Sequence, residues 1–142
     1  MSVDQNCIFC KIIAGEIPSA KVYEDEDVYA FLDLSQVTKG HTLVIPKAHT
    51  KDIYQTSEEV ASQLFARVPK ISQAIEKSFK PKGINILSNT GEAAGQSVFH
   101  LHLHLIPRYD QTDGFQLNWV THNDDYSQED LAEIASLISQ NI

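Results

Sequence analysis

The chain has 142 residues, 42% of them hydrophobic, which suits one domain with one well-buried core. Eleven Lys and Arg stand against 19 Asp and Glu, a formal charge of −8 at pH 7. A field of that sign repels polyanions, so a nucleic-acid polymer is excluded as the main partner, while a small nucleotide held by local donors is not.

"MSVDQNCIFCKIIAGE" has acids close by and no apolar signal core, and no stretch approaches the roughly 20 apolar residues of a membrane span. A cytoplasmic protein without a membrane partner is expected. Cys7 and Cys10 are the only cysteines, and their Cys-x-x-Cys spacing suits metal binding or redox chemistry better than a structural cross-link. A redox pair normally precedes a helix inside a β-α-β unit, whereas "CIFCKIIAGE" offers at most a short helix. Zinc is the better account if two more ligands exist; reduced, unligated thiols are the third reading.

"KVYEDEDVYAFLDL" predicts two short strands around an acidic turn, with Val28, Ala30 and Leu32 on one face and Tyr29 and Phe31 on the other. "HTLVIP", after the turn "QVTKG" and stopped by Pro46, predicts a neighbouring antiparallel strand. Thr56 and Glu59 form a capping-box pattern. It opens a long amphipathic helix carrying Val60, Leu64, Val68, Ile71, Ile75 and Phe79 on one face, with a kink expected at Pro69. "GINILS" predicts a strand, "NTGEAAGQ" a loop whose glycines allow close approach to a ligand, and "SVFHLHLHLIPR" a further strand. A second capping box, Ser127 with Asp130, opens a C-terminal helix over about 127–140 with Leu131, Ile134, Leu137 and Ile138. The sum is an α+β chain, residues 1–142 as one domain, with one antiparallel sheet covered on a face by helices.

"HLHLHL" at 100–105 puts Leu101, Leu103 and Leu105 on one face of a strand and His100, His102 and His104 on the other. The leucines fix the register, since a one-residue slip would bury the imidazoles. Three histidines at alternate positions spread over about 13 Å, too far to share one ion with ligand bonds near 2 Å. Beyond solvent decoration, that leaves one histidine binding metal, or nucleophilic catalysis at phosphorus, where a neutral imidazole attacks and a neighbour stabilises charge.

"HLHLHLI" fits His-x-His-x-His-x-x with apolar x. Together with "CIFCKIIAGEIPSAKVYEDEDVYAFLD", "HTLVIPKAH" and "NTGEAAGQSVFH", it resembles the histidine triad (HIT) superfamily, in particular the zinc-containing bacterial members of its Hint branch. The resemblance spans about residues 7–109 and implies the HIT-like fold, an antiparallel sheet of about five strands with one long helix and a C-terminal helix. It further implies a purine nucleotide hydrolase or transferase cleaving a substituent from the α-phosphate of AMP or GMP. His102 would be the nucleophile, His104 would hydrogen-bond the phosphate or leaving group, His41 would stand behind the triad, and Ser97 would assist. Asp33 would hold the ribose hydroxyls, and Phe9, Phe31 and Leu34 would form the base slot. Asn89, Gly95, Gln96 and Ser97 would present donors to the phosphate. Cys7, Cys10, His49 and His100 would bind a structural zinc, no Mg²⁺ would be needed, and the protein would be a homodimer to which Leu64, Val68 and Trp119 are candidate contributors. Relatives that cleave dinucleoside polyphosphates, and an AMP-binding adaptor with vestigial hydrolysis, are the alternatives.

Overall fold

The computed structural model describes residues 4–142. In chain order it contains α1 (Ile8–Ile13), β1 (Lys21–Glu24), β2 (Val28–Leu32), β3 (Thr42–Pro46), α2 (Glu58–Phe79), β4 (Gly83–Leu87), β5 (Leu103–Arg108) and α3 (Gln128–Ser139), with 3-10 turns at Ile53–Gln55 and Glu92–Ala94. The five strands form one antiparallel sheet in the order β1-β2-β3-β5-β4, the expected α+β arrangement. Among the described residues no helix is long and apolar enough to cross a membrane.

The acidic turn between β1 and β2 closes because the Asp25 carboxylate accepts the amides of Asp27 and Val28, both at 2.9 Å. It also takes the Tyr23 hydroxyl at 2.7 Å and Arg67 Nε at 2.8 Å, which ties the hairpin to α2. Burial would raise this carboxyl, but those donors outweigh it and hold it far below the usual range.

One face of the sheet packs Val28, Ala30, Val44, Leu101, Leu103 and Leu105 against Leu64, Val68, Ile71 and Ile75 of α2. Leu64 and Val68 therefore belong to the chain's own core and are not available to an interface. The opposite face is covered as well, where Tyr29, Phe31, Leu43 and Ile45 meet Phe9, Cys10 and Ile12 of α1. This corrects the one-covered-face expectation: six residues of helix sufficed because aromatic side chains fill the gap.

Two boundaries differ from the sequence expectation. The cap of α2 is Ser57, whose hydroxyl accepts the Val60 amide at 3.2 Å, while the Thr56 hydroxyl donates to the Asp52 carbonyl at 2.6 Å. A second hydroxyl beside the first decided the start, and α2 runs unbroken past Pro69. β5 begins only at Leu103, because the Leu101 amide donates to Thr50 and the chain at His100–His102 turns toward the 49–50 segment instead of pairing in the sheet.

Beyond β5, Arg108 anchors the root of the C-terminal segment to Asp113, Asn85 and the Phe115 carbonyl. Gly114, at φ +91, lies so close to Val37 that a Cβ there would stand 2.7 Å from its carbonyl oxygen. The predicted capping box of α3 is present, yet every residue from 116 to 142 is exposed. His122 lies in this exposed stretch.

Candidate active site and metal centre

Cys7 is the N-cap of α1, and one helical turn carries Cys10 to the same side. His49 follows β3, and His100 is fully buried at the approach to β5. His100 Nε2–H donates to the Pro46 carbonyl at 2.8 Å, which fixes its tautomer and turns the Nδ1 lone pair toward the cysteines. Cys7 Sγ and Cys10 Sγ lie 3.4 and 3.7 Å from that Nδ1; His49 Nδ1 lies 3.5 Å from Cys10 Sγ and 3.2 Å from His100 Nδ1. A tetrahedral Zn²⁺ with bonds near 2.3 Å to sulfur and 2.0–2.1 Å to nitrogen has edges of roughly 3.3 Å between nitrogens and 3.6 Å between nitrogen and sulfur. The four donors thus fit one tetrahedral ion. Burial pushes the Cys10 thiol up, so its thiolate form needs a cation beside it.

The other two histidines serve a different place. Their rings are 5.1 Å apart, and both line a cleft of about 360 Å³ with Phe9, Phe31, Asp33, Leu34 and Ser97. His102 Nδ1–H donates to the His100 carbonyl at 2.7 Å, so its Nε2 keeps the lone pair. The register Leu43↔His104 sets His41, two residues before Leu43, diagonal to His104. The Val37 amide donates to His41 Nδ1 at 3.3 Å, which leaves the proton on His41 Nε2, 2.9 Å from His104 Nδ1 and 3.6 Å from an Asp33 oxygen. His104 consequently carries its proton on Nε2.

Asp33, His41 and His104 also bring three ligand atoms within 4.8 Å of one another. A metal on His41 Nε2 would move the proton to Nδ1, against the Val37 amide, so the backbone supports a hydrogen-bonded chain there. Burial lowers the pKa of all three triad histidines and of His41. His104 is pushed down to about 4 by burial and by the neighbouring His102 and His41, and His100 to about 4 mainly by burial. The cleft therefore holds neutral imidazoles at pH 7, one with a free lone pair and one with a free N–H.

Asp33 uses one oxygen to accept the Ser35 amide at 2.8 Å, leaving acceptor capacity at the rim of the cleft. Phe9 stands edge-on to His102 at 5.2 Å and to Phe31 at 5.4 Å, so the helix that carries both cysteines also builds one wall of the cleft. Leu34 is 94% exposed and forms the lip.

Asn89, Gly95 and Gln96 do not line the cleft. Gln96 is buried, and its side-chain amide donates to the Lys51 and Val98 carbonyls while its oxygen accepts the Gly91 amide. Both of its side-chain donors are spent on the loop and on Lys51, and Asn89 donates to the Gly95 carbonyl at 3.4 Å. Sequence reasoning missed Ile8, Ile12, Ile17, Pro18 and Val98 in the cleft wall, and Gln36, whose amide holds the Asp33 and His41 carbonyls at 2.6 and 2.7 Å. No motif marks them; they meet the site only through the fold.

A HIT domain family model matches residues 14–111. The chain belongs to the HIT family. Protein hit of Bacillus subtilis is 61% identical over 142 residues, covering 100% of this HIT chain and 98% of the relative. An adenosine 5'-monophosphoramidase of Candida albicans is 35% identical, covering 90% and 87%, and an adenylylsulfatase of Arabidopsis thaliana is 43% identical, covering 75% and 54%. Crystal structures of HIT proteins from Bacillus anthracis and Bacillus subtilis superpose at TM-score 0.95 with 59% and 62% identity, each covering 97% of this chain and 98% of the other. Residues 116–142 are 27 of the 142 positions, so that score requires the C-terminal arm to superpose along with the body.

Proposed function

We propose that this HIT protein is a nucleotide hydrolase of the nucleoside phosphoramidase type, acting at the α-phosphate of a purine nucleoside monophosphate. The observation that carries this is the pair of opposite tautomers, a bare Nε2 on His102 beside an Nε2–H on His104, at one end of an apolar cleft with a carboxylate at its rim. Phe9, Phe31 and Leu34 suit a base, and Asp33 suits the two ribose hydroxyls.

His102 Nε2 attacks the α-phosphorus; the bond from phosphorus to the leaving amine breaks, and the amine takes a proton from water admitted by the open cleft. His104 Nε2–H donates to a phosphoryl oxygen, where negative charge grows. The hydroxide left by that proton transfer then attacks the nucleotidyl-histidine, the phosphorus–nitrogen bond to His102 breaks, and the lone pair returns to Nε2 as the nucleoside monophosphate leaves. His41 positions His104 by donating to its Nδ1. The named activities of the Candida and Arabidopsis relatives support this class.

Zinc is the ion we assign to Cys7, Cys10, His49 and His100, on the fit of a soft S₂N₂ donor set. When bound it neutralises the thiolates and holds α1 to the approach of β5. The resemblance implies a homodimer, and the exposed arm supports a protein that works in pairs.

The deciding experiment is rapid-quench mass spectrometry with an adenosine phosphoramidate. AMP mass on the peptide containing His102 is expected, with no turnover in His102→Ala. Tight AMP binding without label or AMP release would replace the enzyme with a nucleotide-binding adaptor.

A further inference from the structure

The cleft carries one polar group that the proposed chemistry does not use. Ser19, just ahead of β1, lines it beside Ile17, Pro18 and Phe31. Its Oγ lies 2.7 Å from the phenolic oxygen of Tyr29 on β2, and the buried Tyr29 ring packs at a tilt on Phe31, 5.8 Å between centroids. Among the described residues Ser19 is the one hydrogen-bond partner of the Tyr29 hydroxyl. A buried phenol whose O–H pointed elsewhere would hold an unsatisfied donor, so Tyr29 donates and Ser19 accepts. The Ser19 O–H and its second lone pair are then left for the cleft.

Sheet order sets how far this hydroxyl stands from the reacting end. β3 lies between β2 and β5, so two strand spacings, about 10 Å, separate the strand of Tyr29 from that of His104. That is the scale of a nucleotide from its α-phosphate to the far edge of its base. The other polar side chains of the lining belong elsewhere: Asp33 and Ser35 form the rim, and Ser97 leads into the strand of His102 and His104. Around Ser19 the wall is apolar. Phe9 and Phe31 offer a flat base their rings, which favour any base alike, whereas a hydroxyl with a donor and a free lone pair distinguishes one edge from another.

We propose that Ser19, aimed by Tyr29, reads the exocyclic group of a purine in this cleft. Its free lone pair accepts from the exocyclic amine of adenine, and its O–H donates to the exocyclic oxygen of guanine. This rests on the nucleotide seat proposed above and specifies how that seat takes both purines. A single-ring base held by the same histidines and Asp33 stops short of Ser19 by the width of a ring. The apolar surroundings strengthen the hydrogen bond, because water does not compete there for the Ser19 hydroxyl.

The test is titration calorimetry of the full-length protein, of Ser19→Ala and of Tyr29→Phe with AMP, GMP and purine riboside 5'-monophosphate, which lacks the exocyclic group. In Ser19→Ala the Kd for AMP and for GMP is expected to rise about 3- to 10-fold, the weight of one hydrogen bond, while that for purine riboside monophosphate changes by less than about 2-fold. Tyr29→Phe leaves the Ser19 hydroxyl unaimed and should show the same pattern at smaller size. Equal losses for all three nucleotides, or no loss in Ser19→Ala, overturn the base reading and leave the hydrolase chemistry standing. An unaltered protein that binds none of the three overturns the base reading and the nucleotide seat together. Selective loss in a protein that binds AMP yet does not cleave an adenosine phosphoramidate upholds the base reading and removes only the hydrolase.

Discussion

Acidification tests the protonation pattern of the cleft through folding stability. An unfolded histidine titrates near 6.5, whereas burial and the neighbouring imidazoles hold His104 at about 4 in the fold. Between those values the unfolded chain binds more protons, so stability rises with pH; the contribution is complete above about 6.5 and is lost as pH falls toward 4. At pH 5 the linkage relation gives a loss of about 2 kcal/mol for this one group. Solvent reaching one side of the ring screens that to about 1 kcal/mol. The measurement is urea unfolding at pH 7.5, 6.5, 5.5 and 5.0 for the unaltered protein and for His104→Asn, whose side-chain oxygen replaces Nδ1 as acceptor for His41. The stability difference between the two should shrink by about 1 kcal/mol from pH 7.5 to 5.0. A difference that stays constant or widens in acid would refute the placement of a neutral, half-buried His104.

Gly114→Ala should lower stability by about 1–3 kcal/mol, because it combines left-handed backbone with a 2.7 Å approach to the Val37 oxygen. Gly15→Ala, at φ +80 with nothing within 4 Å, is the control expected to cost less in the same thermal melt. Gln96→Ala should cost about 1–3 kcal/mol and slow turnover of the phosphoramidate, since it orphans the Gly91 amide and releases the loop from Lys51 and Val98. Unchanged melting would return Gln96 to a direct ligand-binding role. Removing metal with a strong chelator, or replacing Cys10 by Ser, should lower the melting temperature and raise KM through the loosened wall at Phe9. Metal analysis and calorimetry on the same samples check this, and a protein of full stability without metal would count against the zinc assignment.

Much of this molecule was legible in one dimension. Period-two alternation placed Leu101, Leu103 and Leu105 against α2 and the histidines opposite, because side-chain direction along extended backbone is a local property. The same is true of the α3 capping box, which needs contact only between Ser127 and Asp130. The family motifs marked Cys7, Cys10, His49 and His100, and the fold brings them together. Local rules failed where neighbours compete, as between the hydroxyls of Thr56 and Ser57. They fell short again at Gln96, whose side chain reaches the distant Lys51 carbonyl as well as Gly91 and Val98 of its own loop. Backbone groups placed by the fold decided which nitrogen of each histidine carries a proton: the distant Pro46 carbonyl acts on His100, the nearby His100 carbonyl on His102, and the Val37 amide acts through His41 on His104. Apolar spacing in the sequence specified that α3 has a face to bury. That its own body does not cover that face is a fact of tertiary structure, because the path of the chain after Arg108, set by Asp113 and Gly114, carries the stripe away from the core.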